Sequence, residues 1–278
     1  MRPIRTIAVL PTLLTLGNLV CGFFAIVVAS RVGKPVPDPD DATMLLRIGS
    51  DASDVMIGSW LIFLAMVFDS LDGYVARLAR TSSDFGAQLD SLCDLVTFGV
   101  APGFLLVKMC PRFAFMHSQA VWVIAAAYAA CAALRLARFN VETGDEDEHT
   151  HFSGLPSPAA AAAIAGFGIM FYTLRQPENP LRYAAEIDVV LQNILPFFGA
   201  LLALLMVSRI RYPHVANQIF RGQKSFAHVV AVVFALVAVM VIRGYSVPII
   251  CCAFVFYGPI HLVWEKVVQR RQQEESIF

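Results

Sequence analysis

The chain has 278 residues, with 21 Lys+Arg balancing 21 Asp+Glu; 58% of its residues are hydrophobic and only 15% are charged. Mean hydropathy is +0.66, and the apolar residues fall in long blocks instead of an alternating strand pattern, which excludes a water-soluble globular domain. Zero net charge says nothing by itself about partners, and no nucleic acid is expected among them. The expected fold is all-α: a polytopic membrane helix bundle forming a single domain over residues 1–278.

Eight membrane helices are expected, at about 9–30, 55–78, 87–108, 118–139, 157–175, 187–208, 226–243 and 246–267. Arg2 and Arg5 precede the first apolar run, but the run is too long for a signal core, and Thr12, Thr15 and Asn18 suit one poorly. It reads as a retained first helix. Threonines one turn into such a helix can simply bond to backbone carbonyls. Val32–Asp54 carries Lys34-Pro35-Val36-Pro37-Asp38-Pro39-Asp40-Asp41 and reads as an extended, solvated outer linker. With the N-terminus inside, Lys and Arg divide 13 inner to 8 outer, the expected direction of bias. Both termini then face the cytosol. Cys21, Cys93, Cys110, Cys131, Cys251 and Cys252 show no metal spacing and no disulfide framework. His149 and His151, the only close histidine pair, sit in an acidic loop.

One stretch interrupts the apolar blocks: D-S-L-D-G-Y-V-A-R-L-A-R-T-S-S-D-F-G-A-Q-L-D-S-L-C-D, from Asp69 to Asp94. Asp69 and Asp72 are three apart at the end of a hydrophobic helix and share a face; Asp90 and Asp94, four apart, share a face of the next. A short polar link around Arg80–Asp84 lets the four acids converge. Each carboxylate at a bilayer centre costs roughly 3 kcal/mol on insertion scales, so protonation, cationic partners or metal ions must offset the set. All-oxygen ligands favour hard cations such as Mg²⁺, Mn²⁺ or Ca²⁺ over zinc. Arg77 lies two turns past Asp69 on nearly the same face, within reach of a phosphate or, as a snorkelling side chain, of the membrane surface.

These residues match a family pattern. The segment resembles the signature of the CDP-alcohol phosphotransferases, D-x-x-D-G-x-x-A-R-x8-G-x3-D-x3-D, with Asp69, Asp72, Gly73, Ala76, Arg77, Gly86, Asp90 and Asp94 filling every fixed position. The resemblance implies that the four aspartates bind two divalent ions on the diphosphate and that Asp94 is also the base. It further implies that Thr12, Thr15, Gly73, Ala76, Arg77, Ser83 and Gly86 contact CDP-diacylglycerol. Thr12 stands where the family usually has an amide or acid.

Two further blocks, Ala133-Leu134-Arg135-Leu136-Ala137-Arg138-Phe139-Asn140 and Gly154-Leu155-Pro156-Ser157-Pro158-Ala159-Ala160, resemble those of the bacterial and archaeal phosphatidylserine synthase branch. That branch implies transfer of a phosphatidyl group to L-serine, with Arg135, Arg138 and Asn140 as candidate serine contacts. The family resemblance implies a homodimer among membrane lipids, and the 13-to-8 division of basic residues puts the Asp69–Asp94 site on the cytosolic side of an inner membrane. A rival keeps the chemistry with inositol phosphate or glycerol phosphate as acceptor; such anionic acceptors want a denser basic cluster, and Glu142 and Asp145–Glu148 argue against one. An intramembrane cation transporter explains the acids but leaves the glycines and Arg77 unexplained.

Overall fold

The computed structural model describes residues 6–33, 43–79, 84–142, 154–176, 181–210, 212 and 243–275, and every element among them is a helix. In chain order these are α1 (Thr6–Ser30), α2 (Thr43–Ala79), α3 (Asp84–Asp94), a π-helical turn (Leu95–Val100), α4 (Ala101–Met109), α5 (Pro111–Met116), α6 (Ser118–Glu142), α7 (Ser157–Leu174), α8 (Ala184–Val207), a 3-10 turn (Arg243–Tyr245) and α9 (Ser246–Glu275). Seven stretches of these residues are long and apolar enough to cross a bilayer. The chain is an integral membrane protein. Of the eighth expected span, at 226–243, all but Arg243 lies outside the described residues, as do the link at 80–83 and the histidine pair.

Small residues set the packing, because helices in lipid associate through close backbone approach. A Cβ on Gly58 would lie 3.4 Å from the Ala25 carbonyl, and one on Gly17 would lie 3.5 Å from the Phe68 ring. Register falls along α1 as it rises along α2, so the two run antiparallel. Gly168 of α7 faces Val55 and Ser59 of α2, and Gly166 faces Pro248 of α9, where a Cβ would meet backbone at 3.1 Å. The fully buried Ile62, Leu105, Ile164 and Leu202 fill the space between these crossings.

Two sequence expectations need correction. The outer linker ends early: α2 starts at Thr43 instead of about residue 55. Its opening, Thr43-Met44-Leu45-Leu46-Arg47-Ile48, is rich in helix formers and lies beyond the last proline, Pro39. The Gly33 N–H donates to Asp51 Oδ1 at 3.4 Å, tying the residues just past α1 to this added segment. The expected helix at 87–108 is likewise not one regular helix. Its middle widens into the π turn, where the Ala101 N–H donates to Val96 O, five residues back. Pro102 explains the break, since it has no N–H for the Phe98 carbonyl four residues earlier. The fully buried Tyr128 hydroxyl of α6 donates to that carbonyl instead, at 3.3 Å. Gly22 of α1 packs against Thr97, whose hydroxyl donates to Asn18 O at 3.2 Å.

Tyr128→Phe is therefore expected to leave the Phe98 carbonyl buried without its partner. A loss of about 1 kcal/mol is expected from an interhelical bond of this kind, read as a lower unfolding midpoint in detergent. An unchanged midpoint would show that the carbonyl finds another donor.

Candidate active site

The acids of the sequence signature meet at one end of the bundle. One carboxylate oxygen from each of Asp69 and Asp72 on α2 and Asp90 on α3 lies within 4.8 Å of the others. At that separation and an effective dielectric of about 20, each ionised pair repels by about 3 kcal/mol. Asp72 Oδ2 and Asp90 Oδ1 are buried without a hydrogen-bond partner. Three converging carboxylates, two of them with a buried oxygen that has no hydrogen-bond partner, form a set that fits a hard divalent cation.

Asp94 stands apart from this triangle. It is buried, and its Oδ1 accepts a hydrogen bond at 2.9 Å from Asn18 Nδ2 of α1. Asn18 is fully buried in turn, with its own Oδ1 unpartnered. Asn18 is the site neighbour that sequence reasoning passed over. Its signal was an amide inside an apolar helix, where an unpaired polar group is costly. Thr15, one turn earlier, donates to Pro11 O at 3.0 Å and also faces the Asp72 carboxylate. Thr12 is half-buried on the same helix.

A cavity of about 390 Å³ opens beside the acids. Asp69 and the α3 residues Ala87, Asp90, Ser91 and Asp94 line it together with Arg135, Leu136, Phe139 and Asn140 of α6, Gly154, Pro156 and Pro158 at the α7 entry, and Tyr212. The two sequence blocks thus form one structure. Arg135 Nη1 donates to the fully buried Ser157 Oγ at 2.6 Å, with its charge near Asp94 and Asp69. Gly154 adopts φ 95°, a conformation suited to glycine, and its N–H donates to Ile210 O at 2.9 Å. Leu155 N–H donates to Leu205 O at 3.0 Å, so the α7 entry is pinned to the end of α8.

The candidate serine contacts separate. Arg135 faces the acids, whereas Arg138 donates from Nη1 to Val207 O at 3.1 Å and from Nη2 to Met206 O at 3.3 Å, capping the last turn of α8. Asn140 lines the cavity but also exchanges hydrogen bonds with Ser91 of α3, Nδ2 donating at 2.9 Å. Gly73 follows Asp72 on α2, and Gly86 lies half-buried in the first turn of α3. Ala76 and Arg77 belong to the helical backbone of α2; their side chains, and the whole of Ser83, are outside the described residues. The cysteines among the described residues are all free thiols.

A membrane bundle with this acidic cluster and cavity also matches known proteins by sequence. The family model for CDP-alcohol phosphatidyltransferase covers residues 8–205, and the chain belongs to that family. Among curated relatives, a CDP-diacylglycerol–serine O-phosphatidyltransferase of Methanocaldococcus jannaschii is 34% identical over 224 residues, covering 80% of this chain and 93% of that protein. A protein of the same name from Helicobacter pylori is 30% identical over 212 residues, 76% of this chain and 75% of its own length. An archaetidylserine synthase of Methanothermobacter thermautotrophicus is 35% identical over 158 residues, 56% of this chain and 57% of that protein.

Asp90→Asn removes one charge from a mutually repelling set. The metal-free protein is expected to unfold no earlier than the parent, while the rise in its midpoint on adding Mg²⁺ or Mn²⁺ disappears. Thermal unfolding with chelator and with metal measures both, and a persisting metal-induced rise would remove Asp90 from the ligand set.

Proposed function

We propose that this chain transfers the phosphatidyl group from CDP-diacylglycerol to L-serine, giving phosphatidylserine and CMP. The observation that carries the reading is the shared cavity. It sets an acidic cluster fit for cations beside a buried carboxylate with one oxygen already engaged, and opposite an arginine. The names of the relatives favour serine as the acceptor.

Asp94 acts as the base. With Oδ1 held by Asn18, the other oxygen is left to take the proton of the serine hydroxyl. The serine oxygen then attacks the phosphorus next to diacylglycerol, and the bond from that phosphorus to CMP breaks. Asp69, Asp72 and Asp90, with Asp94 completing a two-ion set, would hold Mg²⁺ or Mn²⁺, which when bound would supply charge neutralisation at the diphosphate. Arg135 holds the serine carboxylate through its planar fork, one N–H of which is fixed by Ser157. Leu136 and Phe139 line the same cavity and limit water, the competing acceptor. Arg77, by the family signature, reaches the diphosphate. Arg138 supports the end of α8 and touches no substrate.

CMP release from CDP-diacylglycerol in detergent micelles tests this directly. Release is expected with serine and not with inositol phosphate or glycerol phosphate; the reverse would move the chain to another acceptor branch. Arg135→Ala should raise the KM for serine tenfold to a hundredfold, on the scale of a lost charge-assisted contact of about 1.5–3 kcal/mol. Arg135→Lys should recover part of that, whereas Arg138→Ala should lower the unfolding midpoint without a selective change in serine KM. An unchanged serine KM in Arg135→Ala would remove the arginine from the acceptor site.

The reading places the cavity and both termini on the cytosolic side of the inner membrane, where the nucleotide is found, and carries the homodimer that the family resemblance implies. In a background cleared of native cysteines, a cysteine at the exposed Val141 should react with an impermeant label only from the cytosolic side. One at the exposed Arg31 should react only from outside. Opposite labelling would invert the topology.

A further inference from the structure

Among the described residues, the cavity wall has one member from beyond the family domain. The family model ends at residue 205, and Tyr212 lies past it, yet lines the cavity with Asp69, Asp94 and Arg135. Its side chain is 5% exposed. Tyr212 is fixed from behind by α9: the hydroxyl donates to Val255 O at 3.0 Å, and the ring centroid sits 5.9 Å from that of Phe254. At Gly258, a Cβ would lie 2.6 Å from ring atoms Cε1 and Cζ, so the ring rests directly on the α9 backbone. On its N-terminal side, the Gly154-to-Ile210 hydrogen bond ties the segment to the α7 entry. Burial pushes the Tyr212 phenol up to about 12, which keeps it protonated and donating to Val255. With its polar atom engaged on α9, the residue offers the cavity an aromatic wall and no proton.

We infer that Tyr212 determines acceptor size: its ring, braced by α9, closes the acceptor end of the cavity around an amino acid no larger than serine. This rests on the phosphatidylserine reading and adds to it a role for α9, beyond the family domain. A rigid wall of this kind discriminates sterically, and one extra methylene in a closed pocket typically costs 10- to 200-fold in kcat/KM.

The test compares L-serine with L-homoserine, one methylene longer, in serine-dependent CMP release from CDP-diacylglycerol micelles. Tyr212→Ala is expected to raise the homoserine-to-serine ratio of kcat/KM by about tenfold or more, with the KM for CDP-diacylglycerol changing far less. Tyr212→Phe keeps the ring and should recover most of the exclusion. Tyr212→Leu, which retains apolar bulk, should relax it partway and stands in if the alanine variant does not fold. Gly258→Ala lies outside the cavity and drives the ring inward; it should raise the KM for serine more than that for CDP-diacylglycerol and tighten the exclusion of homoserine. An unchanged ratio in Tyr212→Ala or Tyr212→Leu would overturn the inference. So would equal relaxation in Tyr212→Phe, which would assign the effect to the hydroxyl, or equal KM shifts for both substrates in Gly258→Ala. Absence of serine-dependent release by the unaltered protein would instead overturn the phosphatidylserine reading itself.

Discussion

Everything at the site depends on holding carboxylates together that repel one another. Asp69, Asp72 and Asp90 bring oxygens within 4.8 Å at the end of an apolar bundle, where protonation, a cationic neighbour or a metal ion must offset their repulsion. The attraction that opposes the repulsion lies elsewhere, in the backbone-close crossings of α1 on α2, α2 on α7 and α7 on α9. Such contacts are dispersive and non-directional, and many weak ones together fix the helices against a few strong local repulsions. The scaffold is in this sense a clamp, with its grip in the lipid-embedded core and its load at one end.

The clamp also explains how charge is shared around the cavity. Arg135 brings a cation toward Asp69 and Asp94 and is itself steered by Ser157. Asn18 satisfies one oxygen of Asp94 from a third helix. Asp69, Asp72 and Asp94 are each flanked by a polar group from a different element, so this arrangement of the acids needs α1, α2, α3, α6 and α7 assembled together. Arg138, one turn from Arg135, serves that assembly by capping α8.

Much of this was legible in the sequence. The apolar blocks give the helices, and the aspartate spacing gives the shared faces. The blocks around Arg135 and Gly154 mark two segments that the structure joins through the Arg135–Ser157 bond. What remained hidden has physical reasons. Spacing puts Arg135 and Arg138 on one face, but only the position of the α8 end decides which guanidinium turns to the cavity. Asn18 and Tyr212 act through partners 76 and 43 positions away, and no local pattern reports such distances. The π turn follows from Pro102 together with Tyr128, a donor on another helix. The early start of α2 was masked by the prolines just before it, whose influence stops at Pro39.

The π turn has a wider meaning. An added residue in a helix rotates everything downstream by about 100° relative to a regular α-helix. Here the rotation falls between Asp94, which lines the cavity, and Leu105 and Leu106, which face the core. The span is therefore two surfaces with different azimuths joined at the π turn. The half that carries the acids turns toward the cavity and the half that carries the leucines turns into the core, so one span serves both surfaces.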